Sequence, residues 1–304
     1  MADPMIKKRI AILGPGAIGG FMASVLWKAG HEVVCIAKPE IVLHIRAHGI
    51  ALQSNAFGSL VAWPRAVEAL DTKPDIIFIT TKAIGFEDAI QRIAVDHAAH
   101  AVIIPLLNGI EHMAVLRNRF GDRVIAGSIG IEVRHLASGV VEHLTKHARI
   151  TLAADNAILA KKIPDIVALL IKAEIEMFVA ENEAQLLWGK LVRLNALACM
   201  TAATGKSIGE IRNDAILRKN LELLVKEASE VAVAEGARIN PGVVMEELDR
   251  LEATQRSSLY RDRMAGKELE VDAIAGAIVR AGAKHGILCP TILIYLKNLV
   301  EVIS

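Results

Sequence analysis

Cysteine is scarce in this 304-residue chain: Cys35, Cys199 and Cys289 lie far apart and form no CxxC pair. An odd count at such spacing excludes a disulfide framework and reads as reduced, buried thiols in a cytoplasmic protein. Net charge is equally scarce, with 35 Lys and Arg against 34 Asp and Glu. The chain therefore lacks the basic surplus of a nucleic-acid binder and offers no polybasic membrane footprint. Hydrophobic residues make up 53% of it, yet no run approaches the roughly 18 uncharged apolar residues of a spanning helix. The first apolar run, Ile10 to Leu13 behind Lys7, Lys8 and Arg9, is shorter than a signal-peptide core of about 7–15 residues. Metal-ligand spacing is missing too, because neither His143 and His147 nor His97 and His100 sit beside suitably spaced carboxylates. What remains is a length fit for two domains, each with its own core.

From Arg9 to about Leu107 short β-branched runs alternate with helical periods, the mark of βαβ units and a parallel sheet. The runs are Ile10–Leu13, Glu32–Ile36, Asp75–Ile79 and Ala101–Ile104, and Ala17–Lys28 is a crossover helix between the first two. Continuous apolar strands of this kind belong to a sheet covered on both faces. Further strands are expected at Gly130–Arg134, Val140–Leu144 and Arg149–Leu152. After about Glu181 long helical periods take over: Ala184–Thr204, Ile216–Glu235, Glu270–His285 and Ile292–Ile303. The boundary falls near 165–180, giving an N-terminal domain of residues 1–172 and a helical domain of residues 173–304.

Gly14-Pro15-Gly16-Ala17-Ile18-Gly19 follows the first strand and opens the first helix. In that setting the glycines allow a tight turn, close approach of backbone to a pyrophosphate, and close helix–strand packing. The helix start adds free N–H groups and the positive end of its dipole. At the end of the second strand, where NAD-binding folds place an acid on the ribose, the chain reads Ile36-Ala37-Lys38-Pro39-Glu40. Lys38 could neutralise a 2′-phosphate, so NADP is favoured over NAD; the competing reading leaves Lys38 merely solvated. Glu40, after Pro39, fits a first helical turn.

Two charged features intrude on apolar ground. Lys190 interrupts a helical stripe of Leu187, Leu191, Leu194, Leu197, Ala198 and Thr201. Either it snorkels its ammonium to water, or the stripe lines a cleft in which burial lowers its pKa and suits it to acid–base work. Glu268-Leu269-Glu270-Val271-Asp272 leads into a small-residue helix. Acids in a first turn are commonly dipole-stabilising surface groups, and periodicity alone does not select one that faces a substrate.

Taken in order, Gly14–Gly20, Thr80-Thr81-Lys82, Leu107-Asn108-Gly109-Ile110, Trp188-Gly189-Lys190-Leu191, Ser257-Ser258, Glu270–Ile274 and Lys284-His285-Gly286-Ile287 resemble the ketopantoate reductases (2-dehydropantoate 2-reductases) over about residues 8–300. The resemblance implies an α/β fold with an N-terminal Rossmann-type dinucleotide-binding domain, an all-helical C-terminal domain and an active site in the interdomain cleft. It also implies NADPH as cofactor and reduction of 2-oxopantoate to pantoate on the route to pantothenate and coenzyme A. By position, Lys190 matches the family's catalytic lysine, the general acid, and Glu270 the glutamate that orients substrate. Ser258 would bind the substrate carboxylate or hydroxyl, Asn108 would lie beside nicotinamide and substrate, and Lys82 would contact cofactor or substrate. Lys38 stands where the family usually carries an arginine for the 2′-phosphate.

The family usually places asparagines four and eight residues after the lysine; here those positions are Leu194 and Ala198. The nearby Asn195 is the remaining polar candidate for the substrate, although a one-residue offset turns a side chain about 100° around the helix. These substitutions keep open a relative that reduces a different small 2-oxo acid. A noncatalytic NADP-binding sensor is the reading from outside the enzyme class. The expected partner is thus a small 2-oxo acid, with neither nucleic acid nor membrane involved, and apolar helices such as Ile292–Ile303 favour a homodimer.

Overall fold

The apolar run after Arg9 becomes the central strand of a parallel sheet in the computed structural model, which describes residues 7–137 and 139–301. Two units are distinguished: the residues up to Leu107 with His112–Glu183, and Asn108–Glu111 with the residues from Ala184 onward. The first contains β1 (Arg9–Leu13), α1 (Ala17–Lys28), β2 (Glu32–Ile36), α2 (Pro39–His48), β3 (Ile50–Ser54), β4 (Leu60–Ala62), β5 (Arg65–Val67), β6 (Ile76–Ile79) and α3 (Phe86–Ile90). It continues with β7 (Val102–Pro105), α4 (His112–Phe120), β8 (Ala126–Gly130), β9 (Val133–Ala137), β10 (Val140–His143), β11 (Arg149–Ala153), α5 (Ala157–Ala160), α6 (Ile163–Lys172) and β12 (Glu176–Val179).

The main sheet has the order β5-β2-β1-β6-β7, all parallel, with Ile12 beside both Cys35 and Phe78. This is the Rossmann-type arrangement, and the strand order reverses around β1, where such sheets bind ligands beyond their carboxyl ends. A second sheet, β4-β3-β10-β9, and a third, β12-β11-β8, complete the unit. The helix α1 packs against β1 and β2 and also against β3, β4, β9 and β10. Gly19 through Leu26 are consequently all buried, because the helix has structure on two sides and needs no polar face.

Several sequence expectations change in detail. The strand read at Gly130–Arg134 is two strands, β8 and β9, separated by Ile131 and Glu132. Residues 173–183 lie in the first unit: β12 pairs in parallel with β11, and the Glu183 N–H donates to Asp155 Oδ1 at 3.0 Å. The last helix ends, as described, at Glu301; residues 302 and 303 of the expected helix lie outside the described residues, as do residues 1–6 of the opening segment. Cys35, Cys199 and Cys289 are free and buried, with burial pushing their thiols up to about 12, about 12 and about 11 respectively.

His143 has a structural place between Phe21 and Phe57, ring centroids 5.1 and 5.2 Å away. Its Nδ1 pairs with Ser54 Oγ at 2.9 Å and its Nε2 with Thr145 Oγ1 at 2.8 Å. Burial holds its pKa below the ordinary 6.5, against a smaller upward effect from the His147 backbone. The unfolded chain therefore takes up a proton first, and stability falls as pH drops through about 6.5. His31, also depressed by burial and by Lys172, adds to the same slope. Melting curves between pH 7.5 and 5.5 should show this loss, with a shallower slope for His143→Gln; identical slopes would assign the acid sensitivity elsewhere.

The second unit comprises α7 (Glu183–Thr204) from Ala184 onward, α8 (Ile208–Asn213), α9 (Ala215–Ala234), α10 (Pro241–Arg250), α11 (Ser258–Met264), a π-helical turn (Asp272–Gly276) running into α12 (Ala277–Lys284), and α13 (Pro290–Glu301). The continuous helix expected at 270–285 thus begins two residues later and opens with a wider turn. Ser207 and Glu210 form a capping box on α8, and Asp214 and Asn240 cap α9 and α10 through their side chains. A longer-range cap starts α13: Glu227, on α9 and 8% exposed, accepts from the Thr291 and Ile292 N–H groups at 3.0 and 2.9 Å. Leu191, Val192, Ala196, Ala198, Cys199 and Met200 place the middle of α7 in the core of this unit. No helix among the described residues is long and apolar enough to cross a membrane.

Candidate active site

The turn after β1 is held from both neighbouring strands. Gly14 N–H donates to Ile36 O on β2 at 3.0 Å, while the Thr80 hydroxyl, just after β6, donates to Leu13 O and Gly14 O at 2.9 Å each. Gly14 has φ +82°, and a Cβ there would stand 2.6 Å from Thr81 Cγ2. Gly19 has no room either, since a Cβ would collide with the Gly14 carbonyl oxygen and Thr80 Oγ1. These two glycines let the helix start close against the strand end. Gly16 is different: it is the N-cap residue of α1, and a Cβ there would meet nothing within 4 Å.

Pro15 is buried, Ala17 and Ile18 are partly buried, and no acidic residue occupies the first turn of α1. No side chain caps that helix start, so its N–H groups and dipole are available to an anion. Thr81 Oγ1, behind the turn, is buried without a hydrogen-bond partner. Lys38 is exposed as the N-cap residue of α2, just after β2, and Lys82 is exposed in the loop after β6. The fold therefore brings Gly14–Gly19, Lys38 and Lys82 to the carboxyl ends of three adjacent strands. Glycine turn, uncapped helix start and flanking cations fit a dinucleotide with its pyrophosphate at α1. Thr81 had only a weak sequence signal, its place beside Thr80 after a strand.

The second unit holds the titratable group. Lys190 lies partly buried on α7. Burial of its ammonium, reinforced by repulsion from Arg193, lowers its pKa to about 8, and Glu270 acts in the opposite direction. Glu270 is partly buried between buried Leu269 and Val271, directly before the π-helical turn. Turns of that type occur frequently at functional sites. Asn108 is also partly buried, and its loop belongs to this unit although it follows β7 in sequence.

The two adjacent serines separate by role. Ser257 is buried, caps α11 through Tyr260 N–H at 3.0 Å and pairs with Thr201 Oγ1 of α7 at 2.7 Å. Ser258 begins α11 and is exposed. On α7, Leu194 is partly buried and Ala198 wholly buried. Asn195 is turned into the helical core, 0% exposed, with Oδ1 accepting from Cys199 Sγ at 3.4 Å and Nδ2 without a partner.

Known proteins agree along most of the chain. Residues 10–156 match the family described as Ketopantoate reductase PanE/ApbA, and residues 182–302 match Ketopantoate reductase PanE/ApbA C terminal. A 2-dehydropantoate 2-reductase of Caulobacter vibrioides is 28% identical over 290 residues, covering 92% of this chain and 94% of the relative. A PanE/ApbA family ketopantoate reductase from Ralstonia eutropha JMP134 superposes with a TM-score of 0.87 at 25% identity, covering 97% of this chain and 98% of that one. D-Mandelate dehydrogenase, solved with NADH and anilino(oxo)acetate, shares the fold with a TM-score of 0.88 at 22% identity, covering 96% and 97%. Matched by both family profiles over most of its length, this chain belongs to the ketopantoate reductase family.

Proposed function

We propose that the protein reduces 2-oxopantoate to pantoate with NADPH, the step that leads toward pantothenate and coenzyme A. The observation that carries this reading is Lys190: an ammonium with its pKa brought to about 8, under the field of Glu270, in a family whose relatives are 2-dehydropantoate 2-reductases. When bound, a reduced nicotinamide dinucleotide would supply hydride to the ketone carbon of the substrate. As the carbonyl π electrons move onto oxygen, Lys190 Nζ donates its proton there, and the neutral amine is reprotonated from water. Glu270 keeps enough positive charge on Lys190 for this to proceed near neutral pH, and orients the substrate hydroxyl. Asn108 and Ser258 bind the substrate's polar ends. The Gly14–Gly19 turn, with Thr81 and Lys82, holds the dinucleotide.

Leu194 supports a second reading. One turn beyond Lys190 and partly buried, it offers apolar surface where a hydroxylated substrate would want a polar partner, which suits a 2-oxo acid with a more apolar side chain. A site without such a partner loses discrimination for the hydroxyl. Oxidation of NADPH by the purified protein across a panel of 2-oxo acids decides between them: the highest kcat/KM belongs to 2-oxopantoate on the first reading and to an apolar 2-oxo acid on the second. NADPH binding without oxidation by any of them would leave only a sensor.

Lys38 supports NADPH over NADH through charge alone. Lys38→Ala should lower kcat/KM with NADPH about tenfold, the scale of one charge-assisted hydrogen bond, and leave the NADH value unchanged. Equal losses with both dinucleotides would remove Lys38 from the 2′-phosphate.

A further inference from the structure

A charged cluster in the second unit joins two segments that carry site residues. The Arg280 guanidinium, on α12, donates through Nε and Nη2 to the Glu111 carboxylate at 2.8 and 2.7 Å. It also donates to Asp272, with Nη1 to Oδ1 at 2.7 Å and Nη2 to Oδ2 at 3.1 Å and to the backbone carbonyl at 3.2 Å. Glu111 stands three residues after Asn108, and Asp272 two residues after Glu270. One planar cation therefore spans the Asn108 loop and the start of the π-helical turn, in the forked geometry that arginine provides and lysine does not.

A second contact fixes the same pair of segments. Gly109 has φ +83°, and a Cβ there would stand 2.5 Å from the carbonyl oxygen of Ala273. The loop thus lies with its backbone directly on the π-helical turn, next to Asn108. The turn itself carries an i→i+4 link from Ile274 N–H to Glu270 O at 3.2 Å, so its geometry reaches back to Glu270. Stability alone does not account for the cluster. The side chains of Arg280, Glu111 and Asp272 are 44%, 50% and 73% exposed, so water and salt screen these ion pairs. Position is what a bidentate clamp of this kind can set, and misplacement by about 1 Å at a reacting centre can cost on the order of 10²-fold in rate.

We propose that Arg280 is a positioning residue: through Glu111 and Asp272 it fixes the spacing between Asn108 and Glu270, and so the alignment of the substrate. This rests on the reductase reading given above. Arg280→Met should lower kcat for the preferred 2-oxo acid about 10–100-fold, with little change in Tm and in NADPH affinity. Arg280→Lys, which can reach one carboxylate but cannot fork, should recover only part of that loss. In an Asn108→Ala background, Arg280→Met should cost much less than it does alone, because the residue it aligns is gone. Full additivity of the two substitutions, or a kcat within twofold of the wild type, overturns the proposal.

Amide hydrogen exchange separates this result from the fate of the reductase reading, since it needs no substrate. Exchange across residues 108–111 should quicken in Arg280→Met relative to the wild type, whichever 2-oxo acid is reduced and even if none is. Unchanged exchange there would show that the cluster clamps nothing.

Discussion

Lys190→Met should lower kcat for 2-oxo acid reduction by about 10²–10⁴-fold, the usual contribution of a positioned acid, and should raise the melting temperature at the same time. Both effects have one origin. Burial lowers the Lys190 pKa from 10.5 to about 8, so the folded state binds fewer protons than the unfolded state between those values. Stability therefore rises as pH climbs from about 8 to 10.5, and below 8 the full cost of a desolvated ammonium is present. At roughly 1.4 kcal/mol per pH unit, that cost is about 3 kcal/mol at pH 7, and methionine removes it. In the wild type, kcat/KM should fall as pH rises above about 8, because the acid loses its proton. Glu270→Gln withdraws the charge that raises this pKa and should move the descending limb to lower pH. Calorimetry and pH–rate profiles test the pair; a variant that loses stability and keeps its turnover would place Lys190 in the scaffold.

Gly19→Ala should unfold the cofactor turn more than an exposed substitution can. Its methyl group meets a backbone carbonyl and the Thr80 hydroxyl that holds Gly14, and neither can retreat without opening the β1–α1 junction. Overpacking of this kind costs about 1–3 kcal/mol or more, so Tm should drop by several degrees and NADPH affinity by at least tenfold. Gly16→Ala is the informative partner, since its added methyl group meets no protein atom within 4 Å. It should leave Tm within a degree and still weaken NADPH, because the methyl group occupies the approach of the pyrophosphate. Melting curves with and without NADPH check both variants. If Gly16→Ala binds NADPH as tightly as the wild type, the pyrophosphate does not sit at this helix.

Where local pattern decides structure, the residues declared it. Ala17–Lys28 is the helix expected from its position between two apolar runs, and Ile10–Leu13 is the central strand, because a sheet covered on both faces permits continuous apolar runs. Lys190 stood out as a charge on an apolar stripe, and it lies partly buried on α7. What the chain hides is non-local. β3 pairs in parallel with β10, some ninety residues away, and nothing in Ile50–Ser54 signals that partner. The Asn108 loop joins the helical unit across the sequence, through Gly109 against Ala273 and Glu111 against Arg280. The alternation at Glu268–Asp272 read as the start of an ordinary helix, whereas the chain enters a π-helical turn at Asp272. Ser257 and Ser258 could not be told apart as cap and exposed neighbour, since that depends on Thr201, fifty-six residues earlier.

The Glu227 cap on α13 bears on how this enzyme tolerates engineering at its carboxyl end. A surface helix can usually be shortened at the cost of its own contacts, but here the two N–H groups at its start also hold the carboxyl of Glu227, buried on α9. Deleting the chain from Pro290 onward would remove both donors and bare the apolar surface that Ile292, Tyr295 and Leu299 now cover on α9 and the π-helical turn, a loss of about 1.5–3 kcal/mol for each of those side chains. Fusion partners and affinity tags therefore belong after Glu301, and a shortened version of the protein would need the apolar surface under α13 replaced by polar residues in the same step.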